Sequence, residues 1–252
     1  MNTKKKLGQH FLIDKKIAER QVEYAQVNKK DVVLEIGPGR GILTKILAEK
    51  AKQVVAVEID KHLIDKLRSS LPENVVLIHG DVLKTDFATL PVFNKIVSNL
   101  PFSISSPITF KILKHSFSTA ILMYQKDFAQ RMIAVPHNKN YSRLSVNIYY
   151  KTHCRILETI SRNCFYPKPQ VDSCIVELIP RVEPPFSVIN EEFFFDLTKK
   201  LFNQRRKKIR NIIEREYGKK IDNLPYLNSR VEELKPEQIG ELSNLLIKKI
   251  QI

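Results

Sequence analysis

Three of the chain's seven glycines fall within five residues: Gly37, Gly39 and Gly41 in Glu35-Ile-Gly-Pro-Gly-Arg-Gly41. They stand between an apolar run and a helical one, where glycine permits a tight turn and close approach by a ligand. The spacing is not GxGxxG, so the dinucleotide fingerprint is not met. Pro38 also removes one N–H that a phosphate would use. The competing reading is a plain strand-to-helix turn. Glu58 lies 17 residues after Gly41, at the end of a second apolar run. A carboxylate there can accept two hydrogen bonds from ribose hydroxyls. Asp81, in Gly80-Asp81-Val82, follows a third run and would suit the exocyclic amine of an adenine; an isolated Asp there also serves as a turn cap. Glycines and acids together suggest a nucleoside-bearing cofactor.

Asn99-Leu100-Pro101-Phe102 offers a different chemistry. An exocyclic aromatic amine is a weak nucleophile, because its lone pair is delocalised into the ring. Carbonyl acceptors aimed at its two N–H bonds favour a pyramidal nitrogen with an available lone pair. Asn99 can give its side-chain oxygen and Leu100 its backbone oxygen. Pro101 stiffens the turn, and Phe102 gives a flipped base a face to stack on. No strong general base is required, since the amine sheds its proton after gaining positive charge. Methylation of such an amine then depends on alignment and electrostatic stabilisation. The four-residue pattern is short, and a proline turn at a strand end is its plain alternative. Its place after the fourth strand gives it weight.

These residues need a frame. Residues 31–36, 53–59, 74–78, 95–98 and 119–124 are apolar runs of strand length. Helical spacing fills 14–27, 41–50, 61–71, 107–115 and 126–133. Strands separated by such helices imply βαβ units and a mostly parallel, doubly wound α/β sheet. Two further strands are expected at 146–152 and 173–179. They lack a crossover helix, which predicts an antiparallel hairpin at one sheet edge. Pro180, Pro184 and Pro185 mark a boundary. Beyond it, 190–217 reads as one long helix and 235–250 as another. The expected organisation is a cofactor-binding domain over 1–180 and a small all-α domain over 184–252.

Lys and Arg total 42 against 27 Asp and Glu, giving a formal charge of +15. That excess favours a polyanionic partner. A hydrophobic content of 43% excludes a disordered chain. No run of 18 apolar residues predicts a membrane span. Asp14, Lys15 and Lys16 interrupt any secretory core after the basic start. A cytoplasmic protein without membrane association is therefore expected. Cys154, Cys164 and Cys174 have no ligand spacing and read as reduced thiols. His62, His79, His115, His137 and His153 also lack such spacing, so no metal is expected. Nothing demands a dimer.

The charge is uneven. Lys199, Lys200, Arg205, Arg206, Lys207, Lys208, Arg210, Arg215, Lys219 and Lys220 face only Glu214 and Glu216 within 199–220. Leu197, Leu201, Ile209, Ile212 and Ile213 give the same segment an apolar stripe. One helix could dock through that stripe and show a basic face to nucleic acid, with Arg205, Arg206, Lys207 and Lys208 at its centre. Lys4, Lys5 and Lys6 add a basic arm. Such cations bind phosphate and shape rather than sequence.

The glycine turn resembles the S-adenosylmethionine turn of Rossmann-like methyltransferases. Over its whole length the chain resembles the small-subunit rRNA adenine N6,N6-dimethyltransferases. Leu7-Gly8-Gln9-His10-Phe11-Leu12 is similar to that family's N-terminal motif. Glu35–Gly41, Glu58, Asp81 and Asn99–Phe102 match its cofactor and catalytic motifs in order. Gln125-Lys126-Asp127 resembles its QKE/QRE segment, and Tyr141–Val146 its YGRLSV. Phe165–Ser173 resembles FxPxPxVDS, and Phe202–Lys208 resembles FxQRRK.

The resemblance implies S-adenosylmethionine held by His10, Leu12, Gly37, Gly39, Glu58, Ile59, Asp81, Val82 and Asn99. It implies catalysis by Asn99, Leu100, Pro101 and Phe102, with Phe165 as the opposite wall of the base pocket. It implies two methyl transfers to adenine N6, on small-subunit rRNA or its assembly intermediate, in ribosome biogenesis. Two residues depart from the pattern. Ser142 stands where glycine is usual, and Phe102 where tyrosine is more frequent. Phenylalanine there is shared with large-subunit rRNA methyltransferases of resistance type, which remain an alternative. A ribosome-assembly factor whose main role is docking is another. The glycine spacing disfavours an NAD-dependent dehydrogenase.

Overall fold

The computed structural model describes residues 9–218 and 222–250. A short strand, β1 (Phe11–Leu12), leads into α1 (Lys15–Tyr24). Asp14 caps that helix by accepting from the Lys16 N–H at 3.0 Å. The expected alternation follows as β2 (Val32–Ile36), α2 (Ile42–Lys50), β3 (Gln53–Glu58), α3 (Lys61–Arg68), β4 (Val75–His79), β5 (Lys95–Asn99), α4 (Ser105–Ile112), β6 (Thr119–Gln125) and α5 (Lys126–Met132).

Helix α6 (Arg143–Lys151) runs directly into β7 (Thr152–Ile160); β8 (Phe165–Tyr166) and β9 (Ser173–Pro180) follow. The main sheet has the order β4-β3-β2-β5-β6-β9-β7. Pairing is parallel from β4 through β6, and β9 is antiparallel to β6. The central strands are apolar on both faces: Val54–Val57, Ile96–Val97 and Ala120–Tyr124 are all buried. From β2 the chain winds outward to β4, then returns to lay β5 on the other side of β2. Strand order therefore reverses between β2 and β5, the position where open α/β sheets bind ligands beyond the strands' carboxyl ends. Separately, β1 pairs with β8, Phe11 opposite Tyr166 and Leu12 opposite Phe165.

The expected strand at 146–152 is a helix. Extended Ser142 and helical Ser145 form a capping box, the Ser142 N–H donating to Ser145 Oγ at 3.1 Å. That cap starts α6, whose β-branched Val146 and Ile148 had suggested a strand. Edge strand β7 begins only at Thr152. The expected long helix at 190–217 is also corrected. It is two helices, α7 (Glu191–Phe202) and α8 (Ile209–Tyr217). The intervening Asn-Gln-Arg-Arg-Lys-Lys offers no apolar residue for an amphipathic face. Its four adjacent cations also repel one another. The basic segment is thus a turn rather than a helix face. A last helix, α9 (Pro236–Ile250), follows.

The described residues fall into two compact units, one within 1–129 and 154–180, the other within 130–153 and 181–252. The expected boundary kept all of 1–180 together. Residues 130–153 instead belong with the helices, because Tyr141, Val146 and Tyr150 share a core with Phe194, Leu197, Ile212, Ile239 and Leu246. The other unit has its own core, including Ile17, Leu43, Leu47, Val54, Val97 and Met123. Among the described residues, no helix is long and apolar enough to cross a membrane.

Candidate active site

A cleft of about 830 Å³, counted with its open mouth, lies beyond the carboxyl ends of β2 to β5. Gly37 and Gly39 line it with φ of 69° and 60°. A Cβ on Gly37 would stand 3.2 Å from Pro101 Cγ, and one on Gly39 would stand 3.0 Å from the Phe11 ring. Handedness and room both require glycine here. The Gly37 N–H donates to Val57 O at 2.8 Å, tying the turn to β3.

Glu58 is buried at the end of β3 and lines the cleft. Its Oε2 accepts from the Gly39 N–H at 3.1 Å, and its Oε1 from the Ile59 and Asp60 N–H groups at 2.9 and 3.0 Å. A carboxylate has about four acceptor positions, so capacity remains for a ligand. Ile59, 49% exposed, and Val82, buried, are apolar lining residues. Asp81 also lines the cleft and caps its own turn, Oδ1 accepting from the Leu83 N–H at 2.9 Å. Lys111 on α4 holds this loop from behind. Its Nζ donates to Val82 O at 2.8 Å, Leu83 O at 3.1 Å and Thr85 O, and sits 4.7 Å from the centre of the Phe87 ring. Burial lowers its pKa. No sequence pattern distinguished Lys111 from the chain's other lysines.

Asn99 ends β5. Its strand is tied to β2 by Ser98 Oγ, which donates to Ile36 O at 2.6 Å, and to α1 by Gln21 Nε2, which donates to Ser98 O at 3.3 Å. Asn99 lines the cleft, yet its Oδ1 is buried without a hydrogen-bond partner. An unmet acceptor costs about 1–3 kcal/mol. Leu100, Pro101 and Phe102 follow along the wall. The Ile104 N–H donates to Pro101 O at 3.1 Å and Ser105 Oγ to Phe102 O at 3.0 Å, which sets the turn. The Phe102 ring lies 5.8 Å from that of His10, stacked at 30°, and 6.4 Å from that of Phe165 at 61°. His10 is held in turn by a 2.7 Å contact from Nδ1 to Pro167 O.

Two expected residues are elsewhere. Leu12 and Phe165, opposed across β1 and β8, are both buried in the core and do not line the cleft. Successive strand residues point to opposite faces, so Phe11 takes the cleft side. Phe11 and Gln9 were thus missed as cleft residues. Period-two alternation through β1 could have indicated Phe11. Glu35 is enclosed under the glycine turn. Burial, with a smaller push from Glu58, raises its carboxyl pKa to about 8.

The basic turn differs from expectation. Arg205 is turned inward, Nε bonded to Glu232 at 2.8 Å and the guanidinium donating to Asn138 O at 3.2 Å. Arg206, Lys207 and Lys208 are exposed. Lys200 meets Asp196 at 2.7 Å and Arg210 meets Asp222 at 2.9 Å. These acids lie outside the segment or beyond its basic count, so sequence arithmetic overstated its free charge. Lys4, Lys5, Lys6, Lys219 and Lys220 lie outside the described residues. Among the described residues no cluster of His, Cys, Asp and Glu could hold a metal ion.

The family model described as "Ribosomal RNA adenine dimethylase" matches residues 1–248. A Methanosarcina acetivorans protein named probable ribosomal RNA small subunit methyltransferase A is 45% identical over 250 residues, 94% of this chain and 91% of that one. A protein of the same name from Pyrococcus furiosus is 42% identical over 260 residues, 98% of this chain and 92% of that one. A solved dimethyladenosine transferase from Plasmodium falciparum matches with a TM-score of 0.78 at 30% identity, covering 96% of this chain and 98% of that one. The solved 23S rRNA methyltransferase ErmE matches with a TM-score of 0.69 at 28% identity, covering 92% and 98%.

Proposed function

The chain belongs to the ribosomal RNA adenine dimethylase family, and from that premise we propose that it methylates adenine N6 in small-subunit rRNA to give N6,N6-dimethyladenosine, with S-adenosylmethionine as methyl donor. The observation that carries the reading is Asn99 Oδ1, a buried acceptor without a partner on the cleft wall. It suits an amine N–H that arrives with the substrate.

The cleft's residues fit the cofactor. Glu58 is oriented to accept ribose hydroxyls, and Asp81 keeps acceptor capacity for an adenine amine. Ile59 and Val82 offer apolar faces to that ring. Gly37 and Gly39 leave room that a side chain would fill. S-adenosylmethionine, when bound, supplies a methyl group on a cationic sulfur.

The chain's own residues do the rest. Phe102 gives a flipped adenine a face to stack on, with the His10 ring stacked against Phe102 and the buried Phe165 ring packed edge-on to it. Asn99 Oδ1 and the Leu100 carbonyl accept the two N6–H bonds and hold the nitrogen pyramidal. The same acceptors favour the positive charge that builds on nitrogen as the new bond forms. The proton leaves afterwards. A second round needs only one remaining N–H, so the same turn serves both transfers.

Lys207, Lys208 and Arg206 are the described cations we assign to phosphate contacts; Arg205 positions their turn. Similarity above 40% to proteins named for the small subunit supports that substrate over the large-subunit alternative suggested by Phe102. We assign its action, as a monomer in the cytoplasm, to the small subunit or its assembly intermediate. The test is transfer of labelled methyl from S-adenosylmethionine to purified unmethylated small subunits, followed by nucleoside analysis. Labelled N6,N6-dimethyladenosine is expected. Label confined to large-subunit rRNA, or to another nucleoside, would sink the reading.

A further inference from the structure

Leu12 opposes Phe165 and Phe11 opposes Tyr166 in the ribbon of β1 and β8. Directly opposed residues of an antiparallel pair project from the same face, and their chain neighbours from the other. Leu12 and Phe165 are 5% and 4% exposed, which marks the core face. Phe11 and Tyr166 therefore share the other face. Phe11 lines the cleft and covers Gly39. Tyr166 is 62% exposed, a large ring that gains little by burial. The exposed Arg40 guanidinium lies 4.8 Å from the centre of the Phe11 ring. Exposed Lys168 is two residues beyond Tyr166.

An open ring beside a cation-bearing ring is the composition by which proteins hold single-stranded nucleic acid. The ring takes a base face, and the cation takes the phosphate. Tyr166 also directly follows Phe165, whose buried ring packs 6.4 Å from that of Phe102 at the proposed adenine site. Flipping an adenine out of its stack strips its neighbours of a stacking partner and leaves their faces open.

We propose that Tyr166, with Phe11 and Arg40, forms a stacking subsite for a nucleotide adjacent to the target adenine in the same RNA strand. This rests on the rRNA adenine reading above. Tyr166 takes the base face and Arg40 faces the connecting phosphate. Every base has a π-face, so the subsite contributes affinity and alignment rather than base identity.

The test compares Tyr166→Ala and Tyr166→Phe with the natural chain on unmethylated small subunits. Removing one stacking partner weakens single-strand binding by a factor of about 5 to 150. Tyr166→Ala should raise KM for the subunits about tenfold, with S-adenosylmethionine affinity unchanged. Tyr166→Phe should keep KM within about twofold. A neighbouring base replaced by 2-aminopurine in a target-loop RNA should be quenched by the natural chain and by Tyr166→Phe, and less by Tyr166→Ala. Unchanged KM and unchanged quenching in Tyr166→Ala overturn the subsite. Equal loss in both variants overturns stacking in favour of the hydroxyl. Asn99→Ala, run alongside, separates the two claims. If it loses turnover while Tyr166→Ala behaves as the natural chain, the function stands and this inference falls. If the natural chain itself forms no dimethyladenosine, the functional reading falls first.

Discussion

The glycine turn after β2 and the asparagine turn after β5 are neighbours, with Gly37 against Pro101, yet they treat their acceptors in opposite ways. Beside the first, the Glu58 carboxylate at the end of β3 is already held by three backbone N–H groups, that of Gly39 in the turn and those of Ile59 and Asp60. In the second, Asn99 Oδ1 is buried with no partner. A group that binds a ligand gains from being oriented in advance, because no ordering cost is left for the binding step. A group that must hold a reacting amine gains from standing empty until that amine arrives. The fold bears roughly 1–3 kcal/mol for the empty acceptor. The difference separates binding from chemistry within a single cleft.

The largest expected effect tests the second turn. Asn99→Ala removes the acceptor and should lower kcat about 10²–10³-fold, the range seen when one preset polar group of a transition-state site is lost. Affinity for S-adenosylmethionine should fall far less, less than about tenfold. An Asn99→Ala enzyme with natural kcat and a large loss of cofactor affinity would erase the contrast. The opposite split is expected of Glu58→Gln. Its amide NH₂ cannot accept, and the charge is gone. Charge-assisted hydrogen bonds contribute about 1.5–3 kcal/mol, so cofactor Kd should rise roughly 10–150-fold. Calorimetry would give that Kd, and kcat at saturating cofactor should stay near the natural value. If Glu58→Gln instead depresses kcat with Kd unchanged, the first turn is not merely a binding device.

These two turns were legible in sequence because each is a local motif at the end of an apolar strand. Gly37, Gly39, Glu58, Asp81 and Asn99–Phe102 all line the cleft. Position on a strand end is a short-range property. Leu12 failed because its two-residue strand is too short for alternation to be noticed, and its partner Phe165 is far along the chain. The helix α6 failed because a serine cap outweighed the β-branched content of Val146 and Ile148. The break at 203–208 was visible only as an absence of apolar residues inside a longer helical pattern. The inward pairing of Arg205 leaves no local signal, because Glu232 and Asn138, its partners, are remote in sequence. Lys111 shares that cause: it reaches carbonyls 26 to 29 residues away. Local chemistry was readable, and pairings made by tertiary folding were not.

The smallest effect concerns charge beneath the first turn. Burial raises the Glu35 carboxyl from 4.5 to about 8. Between those values Glu35 is protonated in the folded chain and ionised in the unfolded one. The folded state then binds more protons, so stability falls as pH rises through that window and levels off above it. From pH 7 to pH 9 this one group should cost about 1 kcal/mol. Glu35→Gln keeps a neutral side chain at every pH and should remove that part of the slope. Urea unfolding of both chains at pH 7 and pH 9 measures it. An equal loss in both would show that Glu35 is already ionised in the folded state at neutral pH. Two anions, Glu35 and Glu58, would then share the glycine turn, and its cofactor affinity could not be assigned to the oriented Glu58 carboxylate. A loss confined to the natural chain leaves the charge of that turn on Glu58, where backbone N–H groups hold it, and keeps the preset acceptor of the first turn distinct from the empty one of the second.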